Sequence, residues 1–436
     1  MEYISIILFV LVFASAVGLF TVNIRKIIRN INLGKDQTIN DDKPARWRQM
    51  ILVALGQSKM LVRPVPAFFH IIIYVGFVLI NIEVLEILVD GFTGNHRIFM
   101  DALNFNGFPL YNIAIAFFEV LGVLVLIACG VFLYRRFVQK LPRFTSKDLD
   151  GFPRKDATNI LVAEIILMFA LLIMNAADHK LQESGFSFPV STPLYNSLFH
   201  GMSEGALHAI VLVCWWLHLI GILAYLNYLP FSKHFHIVLA FPNVWYAKLT
   251  PKGQFTSMQS VTNEVKAMLD PSFVPPAPAE GEVIKFGARD VNDLSWKNLL
   301  DAYSCTECGR CTSECPANQT GKLLSPRRIM MATRDRMEDI GKQIDKKAEP
   351  FTDGKTLLYD YISAEELWAC TSCNACVQAC PVNIDPLNII VDLRRAMVME
   401  DSKMPDALAG AMTNIENNGA PWQFSPADRL NWAHEN

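Results

Sequence analysis

The chain has 436 residues, of which 52% are hydrophobic and only 19% are charged, and its net charge is −3. Soluble domains are usually richer in charged residues, so this composition favours a protein with a lipid-exposed surface. Neither the charge balance nor any basic stripe suggests a nucleic-acid-binding protein. The length fits a membrane domain together with one or two small soluble units.

Five apolar stretches are long enough to cross a bilayer as helices, because each has roughly 20 residues. The first lacks a basic start and a small-residue cleavage site, so we interpret it as a retained helix and not as a signal peptide. The predicted spans run approximately over Tyr3–Asn23, Ala67–Val89, Leu110–Phe132, Thr158–Ala177 and Gly205–Leu229.

The loops between these spans differ strongly in basic residues. Residues 25–66 contain nine Lys or Arg residues and residues 135–157 contain seven, whereas residues 90–109 and 178–203 contain one each. By the positive-inside rule, the basic loops face the cytoplasm. The sequence therefore predicts a multi-pass protein of a bacterial-type cytoplasmic membrane, with its N-terminus outside and everything after the fifth span in the cytoplasm.

Histidines near the spans are candidate haem ligands, since a histidine inside a membrane segment is costly and usually functional. His70 begins the second span and His236 follows the fifth on the same predicted side, so this pair could hold one low-spin haem. His218 precedes His236 by 18 residues, which on one continuous helix is five turns, or about 27 Å. His208 would be rotated off that face by roughly 80°, and His234 follows the fifth span two residues before His236. The simpler alternative for each is a hydrogen bond between helices.

The end of the fifth span resembles a known family. Its Pro-Phe-Ser-Lys-x-x-His run, residues 230–236, is similar to the cytochrome b subunit of respiratory nitrate reductase and to the membrane subunit of heterodisulfide reductase. The resemblance implies a five-helix bundle with two b haems and a quinol site. It matches His70 to a ligand on the second helix, and His218 and His236 to the pair on the fifth.

One position departs from that family. Its other ligand on the second helix would fall ten residues after His70, where this chain has Ile80. His218 therefore lacks its expected partner. A second haem would be absent or would recruit another residue, such as His179 or His200.

Carboxylates within the spans are candidates for the proton transfer that quinone chemistry requires. Glu83 is the first choice because it lies on the ligand-bearing second span, toward the outer side. Each carboxylate has two simpler interpretations. It could form a hydrogen bond between helices, or its side chain could extend to the membrane–water interface. The other candidates are Glu86, Glu119 and Glu164.

The hydropathy falls after Trp245, and the sequence divides there. We predict a transmembrane domain over residues 1–250, a proline-rich linker over 251–290, a helical cytoplasmic domain over 291–401 and a loosely structured tail over 402–436. Helices are expected at Ser325–Asp339 and Ala364–Trp368. The predicted fold class is thus all-α, with a five-helix haem b bundle followed by an α-helical ferredoxin domain.

Eight of the ten cysteines form two copies of the motif C-x2-C-x2-C-x3-C-P, which two-cluster ferredoxins use to bind [4Fe–4S] clusters. In that arrangement the fourth cysteine of each run binds the other cluster. The predicted ligands of one cluster are Cys305, Cys308, Cys311 and Cys380, and those of the other are Cys370, Cys373, Cys376 and Cys315.

Two alternatives to this cysteine chemistry are less favourable. Zinc sites usually have two C-x2-C pairs separated by a loop, which fits a four-cysteine run ending in Cys-Pro poorly. A secreted disulfide framework would spread its cysteines through a short chain. The remaining two, Cys129 and Cys214, lie in apolar runs and are expected to be inert small hydrophobic residues.

The 54 residues between the two motifs are too many for a compact bacterial ferredoxin. Their spacing resembles the α-helical ferredoxin module of succinate dehydrogenase iron–sulfur subunits and of heterodisulfide reductase C-type subunits. In membrane iron–sulfur oxidoreductases related to heterodisulfide reductase, a cysteine-rich CCG domain usually follows. The resemblance therefore implies a separate partner that carries a CCG module or acts as a dehydrogenase.

No G-x-G-x-x-G run follows a strand, so the sequence shows no Rossmann-type nucleotide site. The sequence therefore predicts the quinone-reactive, electron-transferring subunit of an oxidoreductase complex, with two [4Fe–4S] clusters, one or two b haems and quinone as substrate. The alternative is a non-enzymatic redox sensor or assembly protein, in which the clusters act as a switch without haem or quinone.

Overall fold

The structure, a computed structural model, describes residues 2–105, 107–276, 285–346 and 353–434. The first 250 residues form helices α1 (Glu2–Ile31), α2 (Lys43–Met50), α3 (Pro64–Thr93), α4 (Ile98–Leu103), α5 (Leu110–Phe137), α6 (Pro142–Thr145), α7 (Phe152–Ala177), α8 (His179–Gln182), α9 (Ser191–Leu194), α10 (Glu204–Tyr228) and α11 (His236–Trp245). Within the described ranges, α1, α3, α5, α7 and α10 are the five helices long and apolar enough to cross a membrane, which confirms the five predicted spans.

These five helices, named here the bundle, pack through an apolar core and expose many large apolar side chains outward. The core includes Phe9, Ile115, Leu171 and Leu219 from four different helices. Phe9 of α1 lies so close to Gly91 of α3 that a Cβ atom there would come within 2.4 Å of its ring. Outward-facing apolar residues on every helix give the bundle the surface that a lipid environment requires.

Local sequence explains where the spanning helix α3 begins and ends. Pro64 is its first residue, where the missing N–H leaves no intrahelical bond unmade. Gly94 ends it in the left-handed conformation at φ 73°, and its N–H donates to Asp90 O. Past that turn, the two-residue strands β1 (Asn104–Phe105) and β2 (Phe108–Pro109) pair antiparallel before α5 begins.

The fifth spanning helix does not continue to His236. It ends at Tyr228, two 3-10 turns follow at Leu229–Phe231 and Lys233–Phe235, and His236 begins the separate helix α11. Pro230 lacks an N–H and cannot extend the helix. The expectation that His218 and His236 share one face of a continuous helix, 27 Å apart, is therefore wrong.

The predicted linker and tail contain more regular structure than expected. Helix α12 (Gln259–Leu269) lies inside the segment predicted as a linker, of which residues 277–284 lie outside the described ranges. The segment 402–436, predicted as loosely structured, contains the 13-residue helix α20 (Asp406–Asn418) and a 3-10 helix over Pro426–Ala433. Hydropathy alone does not reveal these helices, because they are short and mix polar with apolar residues.

The part of the chain that carries the cysteine motifs, named here the cysteine domain, is helical between residues 296 and 399. Helices α16 and α17 lie where the sequence predicts them, and α16 continues six residues further. The helices are α13 (Trp296–Tyr303), α14 (Arg310–Ser313), α15 (Pro316–Gln319), α16 (Pro326–Asp345), α17 (Ala364–Trp368), α18 (Ala375–Ala379) and α19 (Pro386–Met399).

The cysteine domain packs directly against one end of the bundle. One apolar core joins Ile27 of α1 and Leu239 of α11 to Leu299, Ile340 and Ile389 of the cysteine domain. This shared core holds the two parts in a fixed relation, since burial of apolar side chains is the main favourable contribution to their association.

Polar contacts strengthen the same boundary between the bundle and the cysteine domain. Asn30 Nδ2 donates to Tyr303 OH at 2.9 Å, and Arg29 Nη2 donates to Gly341 O at 3.1 Å. Lys26 and Arg29 both pair with Asp345. The C-terminal end of α1 is thereby tied to α13 and α16.

Candidate iron–sulfur and haem site

The two cysteine motifs follow the same backbone path. In each, the second residue between the first two cysteines has a left-handed conformation: Glu307 at φ 53° and Ser372 at φ 57°. The residue after the second cysteine is also left-handed, Gly309 at φ 69° and Asn374 at φ 60°. Glycine and asparagine are the residues that adopt this conformation most readily. The repeated sequence therefore folds into two equivalent loops.

Each loop continues into a short helix that ends at a Cys-Pro step. Helix α14 follows the first loop and α18 follows the second, and the two helices pack against each other. Cys315 and Cys380 come next, both buried and followed by proline. The packing of α14 on α18 carries each fourth cysteine toward the opposite motif.

Thiols of the two motifs interact electrostatically, including Cys311 with Cys376. Cys380 interacts with Cys308 and Cys311 of the first motif. Cys315 interacts with Cys370 and Cys376 of the second. A cavity between them is lined by Cys315, Cys370, Cys373 and Cys376, the four residues that the sequence assigns to one cluster.

The buried thiols need positive charge to ionise. Burial raises the pKa of Cys305 and Cys376 to about 12 and that of Cys380 to about 11. Iron supplies such charge, because a coordinating thiol is deprotonated when it binds a metal. The backbone N–H of Ile384 donates to Cys380 Sγ at 3.3 Å, the kind of hydrogen bond that tunes a cluster's potential.

In the described part of the chain, no group of three or more His, Cys, Asp or Glu side chains converges on a point where one metal ion could sit. A [4Fe–4S] cluster does not require such convergence, because each thiolate binds a different iron atom at a corner of the cube.

The structure brings three histidines together beside the cysteine domain. The ring of His234 lies 5.6 Å from that of His236 and 5.5 Å from that of Tyr225. His70 interacts electrostatically with both histidines. His70 Nδ1 and His234 Nε2 are buried and have no hydrogen-bond partner among the described residues. These are nitrogen atoms that a bound metal could use.

Hydrogen bonds set the orientation of His236. Its Nδ1 lies 3.0 Å from Lys233 O. Because a carbonyl oxygen can only accept a hydrogen bond, Nδ1 carries the proton, and Nε2 keeps a free lone pair. Burial lowers the pKa of His234 to about 3 and also lowers the pKa of His236. Both imidazoles are therefore neutral, as a metal ligand must be.

His218 has the same orientation deeper in the bundle. Its Nδ1 donates to Leu167 O at 3.1 Å, and its Nε2 is buried without a hydrogen-bond partner in the described ranges. No described contact joins His218 to His179 or His200, which are both exposed. His179 instead pairs with Glu183 at 3.0 Å.

His234 is the residue that sequence reasoning passed over. On a single helix that continued to His236, His234 would lie about 200° away from it on the helix surface. The break at Pro230 changes that geometry and places both rings in contact with each other. The signal was present in the sequence as a proline inside the apolar run.

The predicted carboxylates occupy different environments. Both oxygens of Glu83 are buried without a hydrogen bond in the described part of the chain, and Oε1 lies 3.8 Å from Arg97 Nη1. Glu86 instead accepts from Tyr111 OH at 2.6 Å, and Glu119 accepts from the N–H of Ser191 at 3.0 Å. Glu83 is thus more available for proton transfer than its two neighbours. Glu164, on α7, is half-buried.

Arg97 organises the end of the bundle that lies far from the cysteine domain. Its guanidinium donates to Asp178, to Tyr111 OH at 2.8 Å and to Asn175 Oδ1 at 2.7 Å. Asp178 also accepts from His96, and the Arg97 charge holds the pKa of Asp178 well below its usual range despite burial. The fully paired arginine gives Glu83 a positive neighbour without bonding to it directly.

Comparison with known proteins fits this picture. Residues 301–384 match a family described as a 4Fe-4S dicluster domain. No solved structure gave a significant match. The family match covers all eight motif cysteines, from Cys305 to Cys380.

Two relatives align with nearly the whole chain. A protein of Bacillus subtilis named probable iron–sulfur-binding oxidoreductase FadF is 28% identical over 98% of this chain and 61% of its own length. An EtfAB:quinone oxidoreductase of Syntrophomonas wolfei is 27% identical over 92% of this chain and 56% of its own length. The chain thus spans less than two thirds of either relative.

A third relative aligns with about a quarter of the chain. The C subunit of a ferredoxin/F420H2-dependent CoB–CoM heterodisulfide reductase from Methanosarcina acetivorans is 32% identical over 24% of this chain and 53% of its own length. These matches relate the chain to iron–sulfur oxidoreductases and to heterodisulfide reductase C subunits, and they identify residues 301–384 as a 4Fe–4S dicluster domain.

Proposed function

We propose that this protein is a membrane-anchored electron carrier that links a quinone pool to a soluble cytoplasmic redox protein through two [4Fe–4S] clusters and haem b. The observation that carries the proposal is the direct contact between the first cysteine motif and the histidine segment. Lys233, three residues before His236, pairs with Glu307, which lies between Cys305 and Cys308. Because electrons transfer efficiently only between cofactors that lie close together, it matters that this contact brings the histidines and the cysteines of the first motif to the same boundary between the bundle and the cysteine domain.

The cluster ligands in this proposal are the two crossed tetrads. Cys305, Cys308, Cys311 and Cys380 would hold the cluster next to the bundle, because Glu307 and Arg310 of the same loop contact bundle residues. The second tetrad, which Cys315 completes, would hold the cluster that lies farther from the bundle. Its Cys373 is exposed, which gives a soluble partner access to that cluster.

The haem ligands in this proposal are His70 and His236. His70 Nδ1 has no hydrogen-bond partner in the described ranges, and the hydrogen bond at His236 Nδ1 leaves its Nε2 unprotonated, so each histidine would offer one nitrogen to the haem iron. Haem b would supply one-electron transfer between quinone and the nearer cluster. His218, with its free Nε2, would ligate a second haem if a partner ligand is recruited.

The quinone part of the proposal rests on the relatives and on Glu83. One relative bears the name EtfAB:quinone oxidoreductase, so we extend quinone chemistry to this chain. Oxidation of a quinol releases two electrons and two protons, and its reverse consumes them. Glu83 would exchange one of those protons, because its buried carboxylate accepts no hydrogen bond from a described residue.

The soluble partner in this proposal is a separate cytoplasmic subunit, such as a CCG-domain oxidoreductase or a dehydrogenase. The relatives that are C subunits belong to multi-subunit heterodisulfide reductases, which supports a partner of this class. Sixteen basic residues in two loops against two in the others support the cytoplasmic location of the cysteine domain. The partner would meet the protein at the exposed Cys373.

An anaerobic redox titration of the purified full chain tests the proposal. We expect about eight irons and eight acid-labile sulfides per chain, a b-type absorption band, and reduction of that band by a menaquinol or ubiquinol analogue. The same titration with a quinol-site inhibitor should suppress the reduction. A preparation with iron and sulfide but no b-type band, or a band that quinol never reduces, would contradict the proposal and favour a cluster-based sensor.

A further inference from the structure

The segment just before α3 lies against both cysteine motifs. Lys59, in a 3-10 turn, donates from Nζ to Cys380 O at 3.0 Å, and Cys380 is the crossed ligand predicted for the first cluster. The backbone carbonyl of Lys59 accepts from Arg310 Nη1 at 3.2 Å. Arg310 stands between Cys308 and Cys311 in the chain. One residue from outside the cysteine domain therefore contacts residues of both motifs beside the first predicted tetrad.

Further contacts hold Lys59 in this position. Its Nζ also lies 3.4 Å from Val377 O, so the ammonium group points to the C-terminal end of α18. Four residues later, Arg63 Nη2 donates to Ser313 Oγ at 2.9 Å and pairs with Glu314 at 2.8 Å. The segment before α3 is thus attached to the cysteine domain at two points, which keeps the charge of Lys59 beside the cysteine loops.

Lys59 and Arg310 bring positive charge without a carboxylate of their own. Their side-chain hydrogen bonds in the described part of the chain go to backbone carbonyls, and Arg310 is only 6% exposed. The two carboxylates of the first motif, Glu307 and Glu314, pair with other cations. A buried cation is costly unless an anion balances it. The anions in position to do so are the thiolates of the cluster site.

The charge of the cluster changes during its reaction. A [4Fe–4S] cluster with four thiolate ligands is negatively charged and becomes more negative by one charge when it accepts an electron. Burial of Cys305 and Cys380 removes water that would stabilise this added charge. A nearby cation has the opposite effect, because it stabilises the more negative form more strongly. Net charge and solvent exposure are two of the factors that set the reduction potential of a cluster.

The second motif has no counterpart of this arrangement, although its backbone follows the same path. Ala375 occupies the position that corresponds to Arg310. The carbonyl of Cys315 corresponds to that of Cys380, but in the described ranges it accepts from the backbone N–H of Gln319, at 2.9 Å, and from no lysine. The two loops are therefore equivalent in shape and different in charge.

The second predicted cluster site has another source of stabilisation. Arg394 Nη2 donates to Cys370 O at 2.5 Å, so one cation contacts this tetrad. Cys373 is exposed, and water can stabilise added charge there. The first site thus depends more strongly on fixed cations, and the second depends partly on solvent.

We propose that Lys59 and Arg310 stabilise the reduced form of the first [4Fe–4S] cluster and thereby raise its reduction potential. This inference rests on the proposed function in that it requires the two clusters and the crossed ligand Cys380, but it does not require haem or quinone. Lys59 makes the segment before α3 a part of the cluster site. A raised potential at the first cluster favours movement of an electron from the second cluster toward the bundle.

A stepwise redox titration of the purified full chain, followed by electron paramagnetic resonance, measures the midpoint potential of each cluster. The signal that changes in Cys305→Ser belongs to the first cluster. In Lys59→Met, the ratio of reduced to oxidised first cluster at a fixed potential should fall at least about tenfold, which for one electron is a shift of about 59 mV to lower potential. Lys59→Arg keeps the charge and should restore most of that ratio.

Arg394→Met is the matched control, because Arg394 donates to Cys370 O as Lys59 donates to Cys380 O. It should lower the midpoint potential of the second cluster and leave that of the first unchanged. Arg310→Gln is an independent variant that should lower the midpoint potential of the first cluster, even where Lys59→Met assembles poorly.

Unchanged midpoint potentials in Lys59→Met and Arg310→Gln, at full iron content, would overturn the inference and leave the proposed function intact. Equal shifts of both clusters in Lys59→Met would also overturn it, because they would indicate general loosening. Loss of the first cluster in Lys59→Met that Lys59→Arg does not reverse would assign the lysine a structural role instead. Far fewer than about eight irons in the unaltered chain would refute the clusters and the inference together. A missing b-type band would contradict the proposed function alone.

Discussion

Lys233 Nζ lies 2.5 Å from Glu307 Oε2, and this pair joins the histidine segment to the first cysteine motif. Both side chains are largely buried, and Lys233 also donates to Pro153 O at 2.6 Å. The backbone carbonyl of the same lysine holds His236 Nδ1. One residue thus contacts the predicted haem ligand through its main chain and the predicted cluster loop through its side chain.

Replacing this lysine should loosen the boundary between the two parts. In Lys233→Met, Glu307 stays buried and keeps only Arg334 as a cationic partner. Removing one partner of a buried ion pair lowers the free energy of unfolding by about 3 kcal/mol. We expect a lower unfolding midpoint and faster proteolytic release of the cysteine domain. Lys180→Met removes the exposed pair with Asp101 and should cost under about 1 kcal/mol. Equal losses in the two variants would contradict this role of Lys233.

The crossed arrangement predicts an effect of Cys315 on the second cluster. Although Cys315 belongs to the first motif, it lies in the cavity lined by the cysteines of the second. Cys315→Ser should therefore remove or convert the cluster held by Cys370, Cys373 and Cys376, and the iron content should fall by up to about half. Electron paramagnetic resonance of the reduced protein distinguishes the two clusters. The control Cys214→Ser alters a buried thiol outside both motifs and should leave both signals. If Cys315→Ser instead removed only the first cluster, the crossed ligand assignment would be wrong.

The histidine segment predicts separable effects on haem and clusters. His236→Ala should lose the b-type absorption band of the site and keep both cluster signals, because the cysteine loops do not depend on the imidazole. His208→Ala alters an exposed histidine on α10 and should keep the band. His234→Ala should retain the band with a shifted potential. If His234→Ala instead abolishes the band and His236→Ala does not, the ligand assignment is reversed.

Glu83 predicts a kinetic effect without a loss of cofactor. Glu83→Gln keeps the size of the side chain and the contact with Arg97 but cannot carry a proton. The rate of haem reduction by a quinol analogue should fall about 100-fold, the lower end of what a positioned proton carrier contributes. The haem content should stay unchanged. Glu183→Gln, an exposed carboxylate paired with His179, is the control and should keep the rate; an unchanged rate in Glu83→Gln would remove Glu83 from the proton path.

Much of the architecture follows from local sequence patterns. The number of spanning helices depends on the length of each apolar run, since the hydrocarbon core demands roughly 20 apolar residues wherever they occur. The helices α16 and α17 and the repeated loop conformation at Glu307 and Ser372 are likewise set by neighbouring residues. The predicted end of the fifth span, Leu229, lies one residue from the end of α10, but the apolar run continues past Pro230 and hides the break that separates His218 from His236.

The sequence by itself identified the candidate residues and the predicted orientation: eight cysteines in two repeated runs, histidines at the ends of spans, and the charge asymmetry of the loops. Only the tertiary structure decided which of them meet. The contact between Lys233 and Glu307 joins residues 74 positions apart, and Arg143 reaches Gly309 across a longer interval. Such contacts depend on how the apolar core aligns α1 and α11 with the cysteine domain, and no spacing within one segment encodes that alignment.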